Sequence, residues 1–123
     1  MARAAEPVVT EGFINAPLTE VWRLFTTSEG FKTTGVAHAE VDLRIGGSIR
    51  THYDATGVLG DPNTIVQEIL AYEPERMLAI RARQARADFP FKNAMRGTCS
   101  VIYLSPACSM TLVLIVGLGC EAN

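Results

Sequence analysis

The chain's few residues suited to chemistry fall mainly in strand-like stretches. His52 has Arg50 two positions before it and Asp54 two positions after, so an extended strand would set all three on one face. A trio of that kind could relay a proton. The spacing places no nucleophile or metal-ligand partner beside it, so the expected role is a solvated strand face. Glu68 interrupts the apolar run Ile65-Val66 and Ile69-Leu70. Pointed into a core it would be a desolvated carboxylate of raised pKa, fit for acid–base work. Both phases of this strand carry apolar residues, so periodicity leaves its direction open. The cost of an unpaired buried carboxylate favours outward.

Other motifs carry less. Gly117-Leu118-Gly119-Cys120-Glu121-Ala122 has the G-x-G-x-x-A form of a dinucleotide fingerprint and follows a strand-like run. That fingerprint needs a helix, a further strand and an acidic residue about 20 positions on. Here Asn123 follows, so the glycines read as the end of a strand. Zinc-protease, nucleophile-elbow and P-loop patterns do not occur, and no cofactor or metal is expected. Cys99, Cys108 and Cys120 are odd in number and form no C-x-x-C. They suggest neither a disulfide framework nor a zinc site and fit small thiols under cytosolic conditions.

The elements that would position these residues can be read from composition and periodicity. The 123 residues are 48% hydrophobic and 20% charged, which suits a single compact domain. A formal net charge of −2 argues against a nucleic-acid partner. Arg76, Arg81, Arg83, Arg86 and Arg96 are expected at solvated strand and loop positions rather than in an anion patch. No apolar run reaches the length of about 18 residues that spans a bilayer. The start lacks a signal-peptide core, so a cytoplasmic location is expected. Ala2-Arg3-Ala4 does look like the tail of a cleavage site, which keeps a shortened secreted form as the alternative.

Val8 to Ile14 reads as a first strand, broken by Asn15-Ala16-Pro17. Leu18, Val21, Trp22 and Phe25 then follow at i, i+3, i+4 and i+7, one stripe of an amphipathic helix with Pro17 in its first turn. Ser28 is placed to cap a second short turn that carries Phe31. After Ala39 the chain alternates strands and turns: Val41 to Ile45 and Ser48 to Tyr53 around Gly46-Gly47, Thr64 to Tyr72, Met77 to Arg83, Gly97 to Leu104, and Met110 to Val116. The last is apolar on both faces, as a central strand would be. The fold class expected is α+β, one strand and two short helices followed by six antiparallel strands.

Within that order, certain residues carry a likeness. Ile14-Asn15-Ala16-Pro17 before Val21-Trp22, Asp42-Leu43-Arg44-Ile45-Gly46-Gly47, Tyr72-Glu73-Pro74-Glu75-Arg76-Met77-Leu78, and Gly97-Thr98 stand in the order seen in the START-like helix-grip superfamily. The chain most resembles its branch named for the activator of the heat-shock-protein-90 ATPase. The resemblance implies a curved seven-stranded antiparallel sheet gripping a long C-terminal helix over an apolar cavity. No helical pattern follows Val116, so the expectation is a single domain over residues 1–123 that is C-terminally truncated, with an open groove that a homodimer could cover.

Three functions follow from that expectation, drawn from different classes. The first is a non-enzymatic domain whose groove binds a small hydrophobic or lipid-like ligand. Trp22, Phe25, Phe31, Ile49, Tyr53 and Met77 are its candidate walls, with Arg50, Tyr53 or Arg81 orienting the ligand. Phe89 and Phe91, in the long Ala85 to Arg96 loop, either close over the groove mouth or rest on the sheet rim. The second is a protein-interaction module partnering a chaperone, as the resemblance allows. The third, a polyketide-cyclase-like enzyme, needs Glu68 or His52 facing inward.

Overall fold

The structure, a computed structural model, describes residues 8–88, 90, 97–105 and 109–115. Strand β1 (Val8–Phe13) leads into helices α1 (Leu18–Thr26) and α2 (Ser28–Thr33). Six strands follow: β2 (His38–Val41), β3 (Ser48–His52), β4 (Ile65–Glu73), β5 (Met77–Gln84), β6 (Cys99–Ser105) and β7 (Ser109–Ile115). They form one curved antiparallel sheet in the order β1-β7-β6-β5-β4-β3-β2. From β3 to β7 each strand pairs with the one before it, as consecutive strands tend to do. β1 pairs with β7, which leaves β7 internal as its two-faced apolar character predicts. The helices carry the chain from the β1 edge to the β2 edge.

Register decides which residues share a face. Ile49 lies opposite Gln67, Gln67 opposite Ala82, and Ile69 opposite Ile80, while Leu78 faces both Tyr72 and Ile102. Directly opposed residues project to the same side, so these form the face toward the helices. Ser48, Glu68, Arg81 and Cys99 form another opposed row, shifted by one residue and so on the other face. Register shifts in the β4–β5 pairing, at Val66/Gln67 and at Ile69/Ala71, bend the sheet where it must curve.

α1 docks on that inner face. Val21 and Trp22 are buried against Ile49, Ile69, Leu78, Ile80, Ile102 and Leu104, with Phe25, Phe31 and Tyr72 packed around them. Trp22 and Tyr72 meet at 6.5 Å between ring centroids. Each such side chain contributes about 1.5–3 kcal/mol when fully buried, so two anchors hold this short helix in place. α2 folds directly back on α1. The Thr27 hydroxyl, rather than the expected Ser28, caps α2 by accepting from the Gly30 N–H at 2.9 Å, while donating to the Arg23 carbonyl at 2.7 Å. A Cβ on Gly30 would lie 2.2 Å from the Arg23 carbonyl oxygen, so only glycine permits this approach.

The first hairpin differs from the sequence expectation of a strand over Val41 to Ile45. The strand is His38–Val41, and residues 42–47 turn locally. The Arg44 N–H donates to the Asp42 carbonyl, and the Gly47 N–H to the Arg44 carbonyl, each at 2.9 Å. Gly46 and Gly47 then bond to the backbone of Ile69 instead of to β2. Among the described residues, no helix is long and apolar enough to cross a membrane.

Candidate ligand groove

α1 covers the middle of the sheet and leaves the inner face of β3, β4 and β5 open toward one end. There a pocket of about 380 Å³ is lined by Tyr53, Ile65, Gln67, Ala82, Gln84, Ala85 and Arg86. A second hollow, of about 150 Å³, continues toward the helices under Phe31, Thr34, Val36, Ile49 and Thr51. Tyr53, Ile65 and Gln67 border both. Ala82 stands in the phase of Ile80, and Gln67 in that of Ile69, so the pocket continues the core face with smaller or more polar side chains. Short side chains at Ala82 and Ala85 leave the space unfilled.

Two connections frame the mouth. At the end of β3, under the β3–β4 connection, the His52 ring is buried, 1% exposed, which corrects its expected place on a solvated face. The Asp54 N–H donates to His52 Nδ1 at 3.1 Å, which assigns the ring proton to Nε2, and Nε2 donates to the Asp61 carboxylate at 2.8 Å. Gly57 lies against the ring so closely that a Cβ would fall 2.2 Å from His52 Cε1. Desolvation pushes the Asp61 carboxyl up, but hydrogen bonds from the Val58 N–H, His52 and the Asn63 N–H outweigh it and hold it below its ordinary value. Every polar position of the imidazole is thus engaged in fixing this loop.

The chain after β5 joins the same clasp. The Ala87 N–H donates to the Pro62 carbonyl at 3.0 Å, and Gln84 Nε2 to the Thr64 carbonyl at 2.8 Å. Arg86 Nε and Nη2 donate to the two Asp88 carboxylate oxygens, each at 3.1 Å, and Nη2 lies 3.7 Å from Asp54. The Asp88 hydrogen bonds and charge, aided by Asp54, raise the Arg86 guanidinium above its ordinary range against desolvation.

The residues singled out in the sequence divide by location. Phe31, Ile49 and Tyr53 meet at the inner hollow. Trp22 is buried beneath α1, and Phe25 packs beside it. Met77 and Arg81 alternate with the buried Leu78 and Ile80 along β5, so they stand on the opposite face of the sheet from the groove. Arg50 is likewise on the outer face, ion-paired with Glu40 across β2 and β3. Phe89 and Phe91 lie outside the described residues. Gln67, Ala82, Gln84 and Arg86 were not foreseen. Extending the Ile69 and Ile80 phase by two residues would have found the first two. The last two depend on how the loops fold back.

Glu68 faces outward, as the cost of burial suggested. Arg81 Nη2 donates to it at 3.2 Å and Arg83 pairs with the same oxygen. Desolvation raises its carboxyl, yet hydrogen bonds and charge from the two arginines outweigh that and hold it below the ordinary value. Neither acid–base candidate of the sequence, Glu68 or His52, borders the groove. Cys99, expected to be a free thiol, is disulfide-bonded. Among the described residues no group of three His, Cys, Asp or Glu is placed to hold a metal ion.

The fold has relatives among solved structures. A protein from Nitrosomonas europaea is 22% identical with a TM-score of 0.64, over 90% of this chain and 75% of that one. An HSP90 activator from Plasmodium falciparum is 15% identical with a TM-score of 0.63, over 97% and 77%. The Aha1 dimer from Colwellia psychrerythraea is 10% identical with a TM-score of 0.61, over 92% and 76%. No curated protein matches the sequence. At these identities the likeness is one of fold. The family model described as activator of Hsp90 ATPase homolog 1-like protein matches residues 15–113, from the turn before α1 into β7. With most of its length matched, the chain belongs to that family.

Proposed function

We propose that this protein is a binding domain that takes a small apolar molecule into the groove over β3, β4 and β5. One observation carries the reading: the curved sheet leaves a pocket of about 380 Å³ whose surface is mostly apolar, with Ile65, Ala82 and Ala85 beside the polar ends of Tyr53, Gln67, Gln84 and Arg86. A mostly apolar surface with a limited set of orienting polar groups is the usual make-up of a small-molecule site. The test uses Nile red, an uncharged apolar dye. Its fluorescence rises and saturates at one site on the wild-type protein. Ala82→Trp, which fills the pocket, abolishes the saturable rise while the far-ultraviolet circular dichroism stays unchanged. A rise that never saturates, or one that Ala82→Trp leaves intact, rejects the reading.

A second reading, a protein-interaction module, is favoured by the family to which the chain belongs and by the fold likeness to a Plasmodium falciparum HSP90 activator. Phe13, 85% exposed on the edge strand β1, is the largest apolar side chain offered to a partner there. Purified heat-shock protein 90 added to immobilised protein is retained under this reading, and Phe13→Ala weakens the retention. Without retention, this second reading falls.

A further inference from the structure

We infer that the groove selects an uncharged apolar ligand ending in one hydrogen-bonding group, such as a fatty alcohol, and discriminates against the matching carboxylate. The inference rests on the groove being a ligand site and deepens that reading. Among the described lining residues, Arg86 is the sole charged group. Its guanidinium is already engaged by both oxygens of Asp88, with Asp54 as a further anion at 3.7 Å. Two carboxylates therefore surround one guanidinium, so among the described residues the mouth carries a local excess of negative charge.

The described arginines of β5 give no help. Arg81 and Arg83 pair with Glu68 on the opposite face of the sheet. An entering carboxylate would lose its hydration at a mouth with no free cation among the described residues, and it would meet two like charges. Neutral hydrogen-bonding capacity is present instead. The Tyr53 hydroxyl and the Gln67 amide border the groove and make no hydrogen bond among the described residues. Gln84 commits its Nε2 to the Thr64 carbonyl and keeps its own oxygen as an acceptor. A hydroxyl, which both donates and accepts, suits those groups and brings no charge to be desolvated.

The discriminating probes are 1-decanol and decanoate, titrated calorimetrically at neutral pH, where the carboxylate is ionised. Wild-type protein binds decanol about tenfold or more tighter than decanoate. Asp88→Asn removes one of the two anions and frees guanidinium donors, so the ratio narrows by about tenfold. Adding Arg86→Gln to Asp88→Asn restores the discrimination. Equal or tighter binding of decanoate by wild type, or a ratio unmoved by Asp88→Asn, overturns the inference and leaves the groove standing as a site. Failure of both probes, together with unsaturable Nile red fluorescence, overturns the groove itself.

Discussion

Glu68 shows how one carboxylate's direction changes what it does. Facing the groove it would have been an acid–base candidate. On the outer face, two arginine partners hold its carboxyl low, and it acts as the centre of a surface ion cluster. A depressed carboxyl contributes stability that is complete above the ordinary carboxylate value, about 4. That contribution is lost as pH falls through the lowered folded value. Glu68→Gln therefore lowers stability by about 1 kcal/mol near neutrality, since the cluster is partly solvated. The difference from wild type vanishes in strong acid. Urea titrations over a pH series check both ends. A gap that persists at the acid end would disprove the assignment. Asp61, whose carboxyl is lowered as well, adds to the acid sensitivity of both proteins and so cancels in the comparison.

Among the elements, the α1–α2 corner has the least room for change. The close approach of Gly30 to Arg23 and Leu24 lets α2 turn back within one residue of α1. That turn sets Phe31 over the inner hollow. Gly30→Ala puts a methyl against backbone, which cannot swing aside, and destabilises by about 1–3 kcal/mol, as overpacking does. The same change shifts Phe31 and weakens Nile red binding beyond what the loss of stability explains. Chemical denaturation and dye titration on one sample separate the two effects. An alanine variant as stable as wild type would show that the corner relaxes more freely than this packing implies. The β3–β4 connection is held differently, by the hydrogen bond from the buried His52 ring to the half-buried Asp61 carboxylate rather than by apolar packing.

At the scale of the whole molecule, the core and the groove are two stretches of one face. The helices seal the stretch over Ile69, Leu78 and Ile102, and the stretch over Gln67 and Ala82 stays open. Ligand binding and folding are therefore linked, because the groove exists only when the sheet is assembled. A ligand at about 100 times its dissociation constant stabilises a folded protein by about 2.7 kcal/mol. The melting temperature should accordingly climb with decanol concentration in wild type and stay flat in Ala82→Trp. An equal response from both proteins would place the alcohol elsewhere on the surface.

The local patterns determined much of this protein without tertiary information. The stripe from Leu18 to Phe25 gave α1, the turn residues separated the strands, and the two-faced apolar run after Ser109 gave an internal strand. That Ile49 and Tyr53 share a face was likewise readable, because alternation along one strand is a local property. Local pattern could not show that Met77 and Arg81 turn their backs on the groove, because both phases of β5 carry apolar residues and only pairing with β4 and β6 selects one. Nor could it bury His52, whose cover comes from Gly57 and Asp61, or neutralise Arg86, whose partners Asp54 and Asp88 meet it where two loops converge. Those outcomes needed the assembled sheet, since side chains far apart in the chain share an environment only once the strands between them have paired.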